Sequence, residues 1–149
     1  MRAVVQRVYS ARIRVESESV GEMGEGLLAL VGVGRNDAQD QAEELARKLV
    51  HLRVFKDEDG RMNRSLLETG GQLGVVSQFT LFGDVRRGRR PSYTDAAPPE
   101  QAEPLIRAVV EAATAAGVNV ITGRFGAMMD VELVNAGPVT ILVDTDRAF

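Results

Sequence analysis

The chain has 149 residues, 44% of them apolar and 26% charged, with a formal net charge of −3; this describes one folded domain with a core of its own, and no tract is poor enough in apolar residues to be disordered. The negative balance argues against a protein coated along its length by nucleic acid. With no cysteine and a single histidine, His51, the sequence excludes disulfides, Fe–S clusters, thiolate nucleophiles and multi-histidine metal sites, and leaves one imidazole as a candidate base.

The opening Met1 to Val8 carries polar residues every few positions, so neither a signal-peptide apolar stretch nor a membrane span is expected, and the predicted compartment is the cytoplasm. Val4 to Val8 and Ala11 to Val15 are predicted as two short strands, and Gly26 to Val33 as a buried strand bounded by glycines. Asn36 or Asp37 is expected to cap a helix in which Ala42, Leu45, Ala46 and Leu49 follow the i, i+3, i+4, i+7 rule, with Glu43, Glu44, Arg47 and Lys48 on the other face. His51 falls at the end of that helix, where a structural or solvated role is expected.

Leu52 to Phe55 is predicted as a strand, Asp59-Gly60 as a turn, and Leu73 to Phe82 as a strand that the polar group Ser77-Gln78-Phe79-Thr80-Leu81 ends or interrupts. From Arg86 to Pro99 the composition is that of a surface loop. Within it Arg86, Arg87, Arg89 and Arg90 crowd around Gly88; such a run is either a solvated loop or a holder for a phosphate backbone. A second helix follows Pro98-Pro99, with the stripe Leu105, Ile106, Val109, Val110 and Ala113 and a stop at Gly117. Pro104 is compatible with it only in the first turn. Val118 to Ile121 resumes extended structure. Met129, Val131 and Leu133 then alternate with polar residues, and Val139 to Val143 forms a last apolar strand, giving a hairpin-like pair around Asn135 to Pro138.

No repeat or linker divides the chain. The expectation is a single strand-rich α+β domain over residues 1–149, with two main helices packed on sheet in a barrel-like or layered β/β/α arrangement. A sheet face left uncovered needs a second sheet or another subunit, so a homodimer is expected. No cofactor, metal or membrane is called for.

Two segments carry chemistry. Ser77 to Leu81 places hydroxyl, amide and aromatic groups at the end of an apolar strand; its plain reading is a strand turning to the surface with Phe79 in the core. Gly137-Pro138 is by itself an ordinary turn dipeptide, but it stands directly before an apolar strand, where a kinked backbone can present carbonyl oxygens at a fixed position.

Together these segments resemble the D-aminoacyl-tRNA deacylase family of the bacterial and eukaryotic type, the D-tyrosyl-tRNA(Tyr) deacylases. The resemblance runs through Val5-Gln6-Arg7-Val8, Gly26-Leu27-Leu28, Arg61-Met62-Asn63, Val75 to Leu81, Arg87 to Ser92, Thr122 to Phe125 and Leu133 to Thr140. It implies hydrolysis of the ester joining a D-amino acid to the 3′ end of tRNA, and action on glycine mischarged on tRNA(Ala). It also implies a cis Gly137-Pro138 bond whose carbonyls leave room at the substrate Cα for hydrogen but not for an L side chain. Arg7 then braces that loop, or is simply a surface strand charge.

The resemblance further implies that the terminal adenosine's 2′-hydroxyl helps activate water. Ser77 and Gln78 would orient the ester, and backbone N–H groups around Phe79 and Thr80 would face the oxyanion. Phe125 and Met129 are candidate walls for the adenine, or core residues. The rival readings are an esterase with Thr80 as nucleophile, which lacks an identifiable base, and a non-catalytic RNA-end or nucleotide-binding module.

Overall fold

A computed structural model of the chain describes residues 1–148. Its elements run β1 (Arg2–Val15), β2 (Glu18–Met23), β3 (Gly26–Gly32), α1 (Gln39–His51), β4 (Phe55–Lys56), β5 (Met62–Arg64), α2 (Leu66–Thr69), β6 (Gln72–Ser77), a 3₁₀ turn (Phe79–Phe82), α3 (Pro99–Ala115), β7 (Val120–Thr122) and β8 (Asp130–Asp144). The domain is mixed α+β, with a nearly closed, barrel-like sheet ordered β2-β1-β3-β6-β7 and β8 paired to β1. β3 and β2 share one edge of β1, while β8 runs antiparallel along the other from Arg2 to Arg14.

β3, β6 and β7 are parallel neighbours. Parallel pairing demands crossovers, and α1 and α3 supply them, packing against each other over one face of the sheet. That face and the helices form the larger core, around Leu27, Val31, Leu45, Leu49, Leu73 and Val109. The opposite face curls around a second core of Val8, Ala11, Ile13, Met23, Leu28 and Val76. β3 is buried on both sides, which is why Gly26 to Gly32 is an almost unbroken apolar run.

The predicted pair Val4–Val8 and Ala11–Val15 is one strand. Its pairing with β8 slips on both sides of Val8, so Ala3 and Val5 serve the helix-side core while Val8, Ala11 and Ile13 serve the barrel interior. A β-bulge resets which residues face inward without ending a strand. The predicted hairpin around Asn135 to Pro138 is likewise one strand: both halves of β8 pair with β1, and a bulge, not a reversal, separates them.

Smaller departures have local causes. Neither Asn36 nor Asp37 caps α1; the cap position is Ala38, whose N–H donates to Gln41 Oε1 at 2.9 Å, and Asp37 instead turns inward to accept from the Gly34 N–H at 2.5 Å. Pro104 lies inside α3, beyond its first turn; a proline there removes one rung of the helical ladder. Of the predicted Leu52–Phe55 strand only Phe55 is in a ladder, where with Lys56 it pairs with β5 across the Asp59-Gly60 turn. Among the described residues no helix is long and apolar enough to cross a membrane.

Gly26 marks the tightest approach in the sheet, because a Cβ there would stand 1.9 Å from the Gln72 carbonyl oxygen. Gly26→Ala is expected to lower stability at the upper end of the roughly 1–3 kcal/mol cost of overpacking, measured as a shifted urea midpoint with unchanged m-value.

Candidate active site

β6 ends because its partner ends. The Gln78 N–H makes a last rung to the Val31 carbonyl at 2.7 Å, and the chain then winds into the 3₁₀ turn. Two glycines across from it make the winding possible: a Cβ on Gly32 would meet the Gln78 oxygen at 2.9 Å, and one on Gly34 would meet the Phe82 ring at 2.8 Å. Arg2 fastens the turn from β1, donating to the Leu81 carbonyl at 3.3 Å and lying 4.5 Å over the Phe82 ring.

The first bond of the turn runs from the Leu81 N–H to the Gln78 carbonyl at 3.3 Å. The N–H groups of Phe79 and Thr80 precede that ladder and have no partner within it. Gln78 Nε2 donates to Thr80 Oγ1 at 2.5 Å, which holds both side chains in one arrangement. Phe79 does not enter the core: it is 54% exposed and meets Tyr93 edge to face at 5.1 Å between centroids.

These groups open into a cavity of about 740 Å³ between the end of β6, the start of α3 and the segment entering β8, within the roughly 300–1,000 Å³ usual for small-molecule sites. Ser77, Gln78, Phe79 and Thr80 line it together with Tyr93, Phe125, Met128 and Met129. Among the described residues no histidine, lysine or carboxylate lines it. Phe125 and Met129 each pack on a core and also line the cavity. Gly123 gives Met129 its place, because a Cβ there would lie 2.4 Å from the Met129 sulfur.

Sequence reasoning missed Tyr93 and Met128. Met128 is 92% exposed at the cavity, and only its neighbour Met129 belonged to an alternating pattern. Tyr93 had a usable signal, one of just two tyrosines in the chain, set inside a loop otherwise made of small and charged residues. His51 is exposed at the end of α1 and borders a different groove with Arg53 and Leu142.

The second motif lies elsewhere. Gln6 pairs with Thr140 and Val8 with Asn135, so Arg7 alone stands opposite Ala136, Gly137, Pro138 and Val139. Asn135 closes this bulge, accepting from the Val139 N–H at 2.9 Å and donating to Thr140 Oγ1 at 3.0 Å. Arg7 grips it from β1, with Nε donating to the Ala136 carbonyl at 3.2 Å and Nη1 to the Val54 carbonyl at 2.5 Å. The Gly137-Pro138 bond is cis, and Gly137 has φ of +125°. A Cβ on Gly137 would stand 2.8 Å from Arg7 Nη2, so glycine is required on steric as well as conformational grounds. Gly137 and Pro138 are exposed and do not line the Ser77–Thr80 cavity. Val131, the last β8 residue that does, is six residues away, roughly 20 Å of extended chain.

Beyond the 3₁₀ turn, Asp84 and Ser92 exchange backbone hydrogen bonds of 2.8 and 2.9 Å, closing the arginine-rich segment into a loop. Arg86 folds back on Asp84, with Nε at 2.9 Å and Nη2 at 2.7 Å from its carboxylate oxygens. Chiefly through these side-chain bonds, the Asp84 carboxyl is held down from 3.8 to about 2. A depressed carboxyl contributes to folding above its unfolded value and loses that contribution as the pH falls through the folded one. The tether is therefore complete above about pH 4 and released toward pH 2. A carbon-13 titration of Asp84 is expected to show a midpoint near 2, returning toward 3.8 in Arg86→Ala.

Residues 4–144 match the family model described as D-Tyr-tRNA(Tyr) deacylase. A protein of Symbiobacterium thermophilum named D-aminoacyl-tRNA deacylase is 58% identical over 149 residues, covering 100% of this chain and 99% of the relative. Among solved structures, one described as c-Myc DNA Unwinding Element Binding Protein superposes with a TM-score of 0.93 at 37% identity, covering 97% of this chain and 99% of that one. Another, described as a probable eukaryotic D-amino acid tRNA deacylase, has a TM-score of 0.79 over 95% of this chain and 97% of its own, at 18% identity. That last likeness is one of fold.

Proposed function

The chain belongs to the D-Tyr-tRNA(Tyr) deacylase family, and from that membership we propose that it is an editing hydrolase that cleaves the ester of D-aminoacyl-tRNA, releasing the D-amino acid and reusable tRNA. The observation that carries this reading is the cavity in which Ser77, Gln78, Phe79 and Thr80 meet Phe125 and Met129. It is large enough for an acylated nucleoside and offers aromatic surface for a base. Such work belongs in the cytoplasm, where aminoacyl-tRNA is used.

The residues lining the cavity favour a particular mechanism. A Thr80 nucleophile needs a base, no histidine, lysine or carboxylate among the described residues lines the cavity, and the Thr80 hydroxyl already accepts from Gln78. The substrate's own 2′-hydroxyl is proposed to activate the attacking water. The acyl carbon–O3′ bond breaks, the carbonyl oxygen's developing charge faces the N–H groups of Phe79 and Thr80, and the proton passes to the departing 3′-oxygen. Ser77 and Gln78 orient the terminal nucleoside.

L-esters are proposed to be refused at Gly137-Pro138, whose backbone Arg7 holds in place from beneath. Glycine, with hydrogen on both sides of Cα, passes such a filter, so glycyl-tRNA(Ala) is proposed as a second substrate. Because the pair is exposed and roughly 20 Å of chain away from its own cavity, it would act in the cavity of a second copy, and a homodimer is the proposed working form. A species sedimenting at about twice the 16.1 kDa chain mass is the expected result; a monomer that discriminates D from L would overturn the arrangement.

The decisive assay is incubation with D-tyrosyl- and L-tyrosyl-tRNA. Loss of the D-ester alone is expected; retention of both with stoichiometric binding would favour a non-catalytic nucleic-acid module, the reading that the relative named for DNA binding suggests. Thr80→Ala is expected to keep measurable turnover, whereas a tRNA ending in 2′-deoxyadenosine is expected to lose roughly 10²–10³-fold. The reverse pattern would make Thr80 the nucleophile.

A further inference from the structure

We infer that the arginine loop of residues 84–92 is a phosphate-binding subsite for the single-stranded phosphodiesters just upstream of the adenosine that occupies the Ser77–Thr80 cavity. The inference rests on the deacylase reading and assigns a role to residues that the hydrolytic chemistry leaves unused.

Three observations carry it. First, the loop has its own concavity of about 500 Å³, lined by Asp84, Arg86, Arg87, Arg90, Ser92 and Thr94. Second, its charge is free to meet a ligand. Arg86 is committed to Asp84 at 2.7 Å, which neutralises the one carboxylate lining the concavity. Arg87, Arg89 and Arg90 form no ion pair with any carboxylate among the described residues. In a chain of net charge −3, an RNA is repelled by the whole and attracted at this point, which steers it. Arginine forks match phosphate geometry.

Third, the two concavities share a wall. Ser92 and Thr94 line the arginine side, while Tyr93 between them lines the acyl cavity and packs against Phe79 at 5.1 Å. Ser92 is held by its bridge to Asp84 and the chain turns from Tyr93 to Ala96, whose N–H donates to the Tyr93 carbonyl at 3.1 Å, so one short stretch separates the nucleoside from the phosphates that precede it. Arg35 secures this wall by donating to the Thr94 carbonyl. A nucleic-acid strand ending in the cavity has the arginine groove directly beside its exit.

The test compares wild type with the double variant Arg87→Ala, Arg90→Ala, which leaves the Asp84–Arg86 tether intact. Three D-tyrosyl substrates are used: the 3′-ester of adenosine alone, of a trinucleotide ending in adenosine, and of full tRNA. The variant is expected to raise KM for the trinucleotide and the tRNA by about tenfold or more, with kcat unchanged and the adenosine ester processed as by wild type. For the trinucleotide, the slope of log(kcat/KM) against log[salt] is expected to flatten by about 1.4, the loss of two single-strand phosphate contacts. Arg87→Lys, Arg90→Lys is expected to restore most of that slope, and Arg47→Ala, on the exposed face of α1, to alter nothing. Equal losses on all three substrates, a loss on tRNA alone, which would place the contact on the duplex stem, or no loss at all would each overturn the inference. If wild type cleaves no D-ester, it is the deacylase reading that fails.

Discussion

Between Gln6 and Val8 the two longest strands of the sheet are of unequal length, and Arg7 alone faces Ala136, Gly137, Pro138 and Val139. The division of the interior into two cores depends on that mismatch. Because the bulge shifts the alternation of both strands, Val131 and Leu133 of β8 feed the barrel interior while Val139, Ile141 and Val143 feed the helix-side core. One continuous strand therefore seals two cores, supplies the cavity wall at its start and displays Gly137-Pro138 at its middle. Arg7 is placed to satisfy the Ala136 carbonyl within the bulge and the Val54 carbonyl beside it, both in a part-buried setting where an unmet acceptor is costly.

The rest of the site follows from where β6 stops. Its ladder with β3 ends at Val31, and the glycines at 32 and 34 leave space for the backbone to wind into the 3₁₀ turn. A strand end bordered by a turn leaves N–H groups unpaired and side chains turned outward, which is why polar and aromatic groups collect there without a cost to the core. The proposed chemistry is one mounted on backbone geometry, and the scarcity of titrating side chains among the described residues of the cavity is its counterpart.

How much of this was legible differs by level. α1 and α3 were readable because their apolar stripes are long and regular, and β3 because two-sided burial leaves an unbroken apolar run. β1 and β8 were each divided in two, since a bulge and a turn produce the same break in a period-two pattern and only the partner strand tells them apart. Asp37 looked like a helix cap because its residue type suits one; a buried partner at Gly34 won instead. Pro104 shows tertiary packing keeping a helix that local preference would break. At the site, Ser77 to Thr80 stood out as a polar cluster after an apolar strand, and the resemblance supplied a role for them. Tyr93 and Met128 escaped notice because exposure around a cavity is set by residues distant in sequence. The separation of Gly137-Pro138 from the cavity was equally invisible, since it depends on which way β8 runs past β1.

The wall of Ser92, Tyr93 and Thr94 has a consequence for how such a protein changes over generations. One face meets the charged groove and the other the Ser77–Thr80 cavity, with a single backbone between them, so the two surfaces are not independently mutable. On the proposed reading, a replacement favoured for its fit to one class of RNA would displace the Tyr93 ring that walls the cavity, and a replacement that reshapes the cavity would move the hydroxyls of the groove. Lineages that come to serve different tRNA populations should alter this tripeptide as a unit, leaving paired substitutions where a freely varying loop would leave scattered ones.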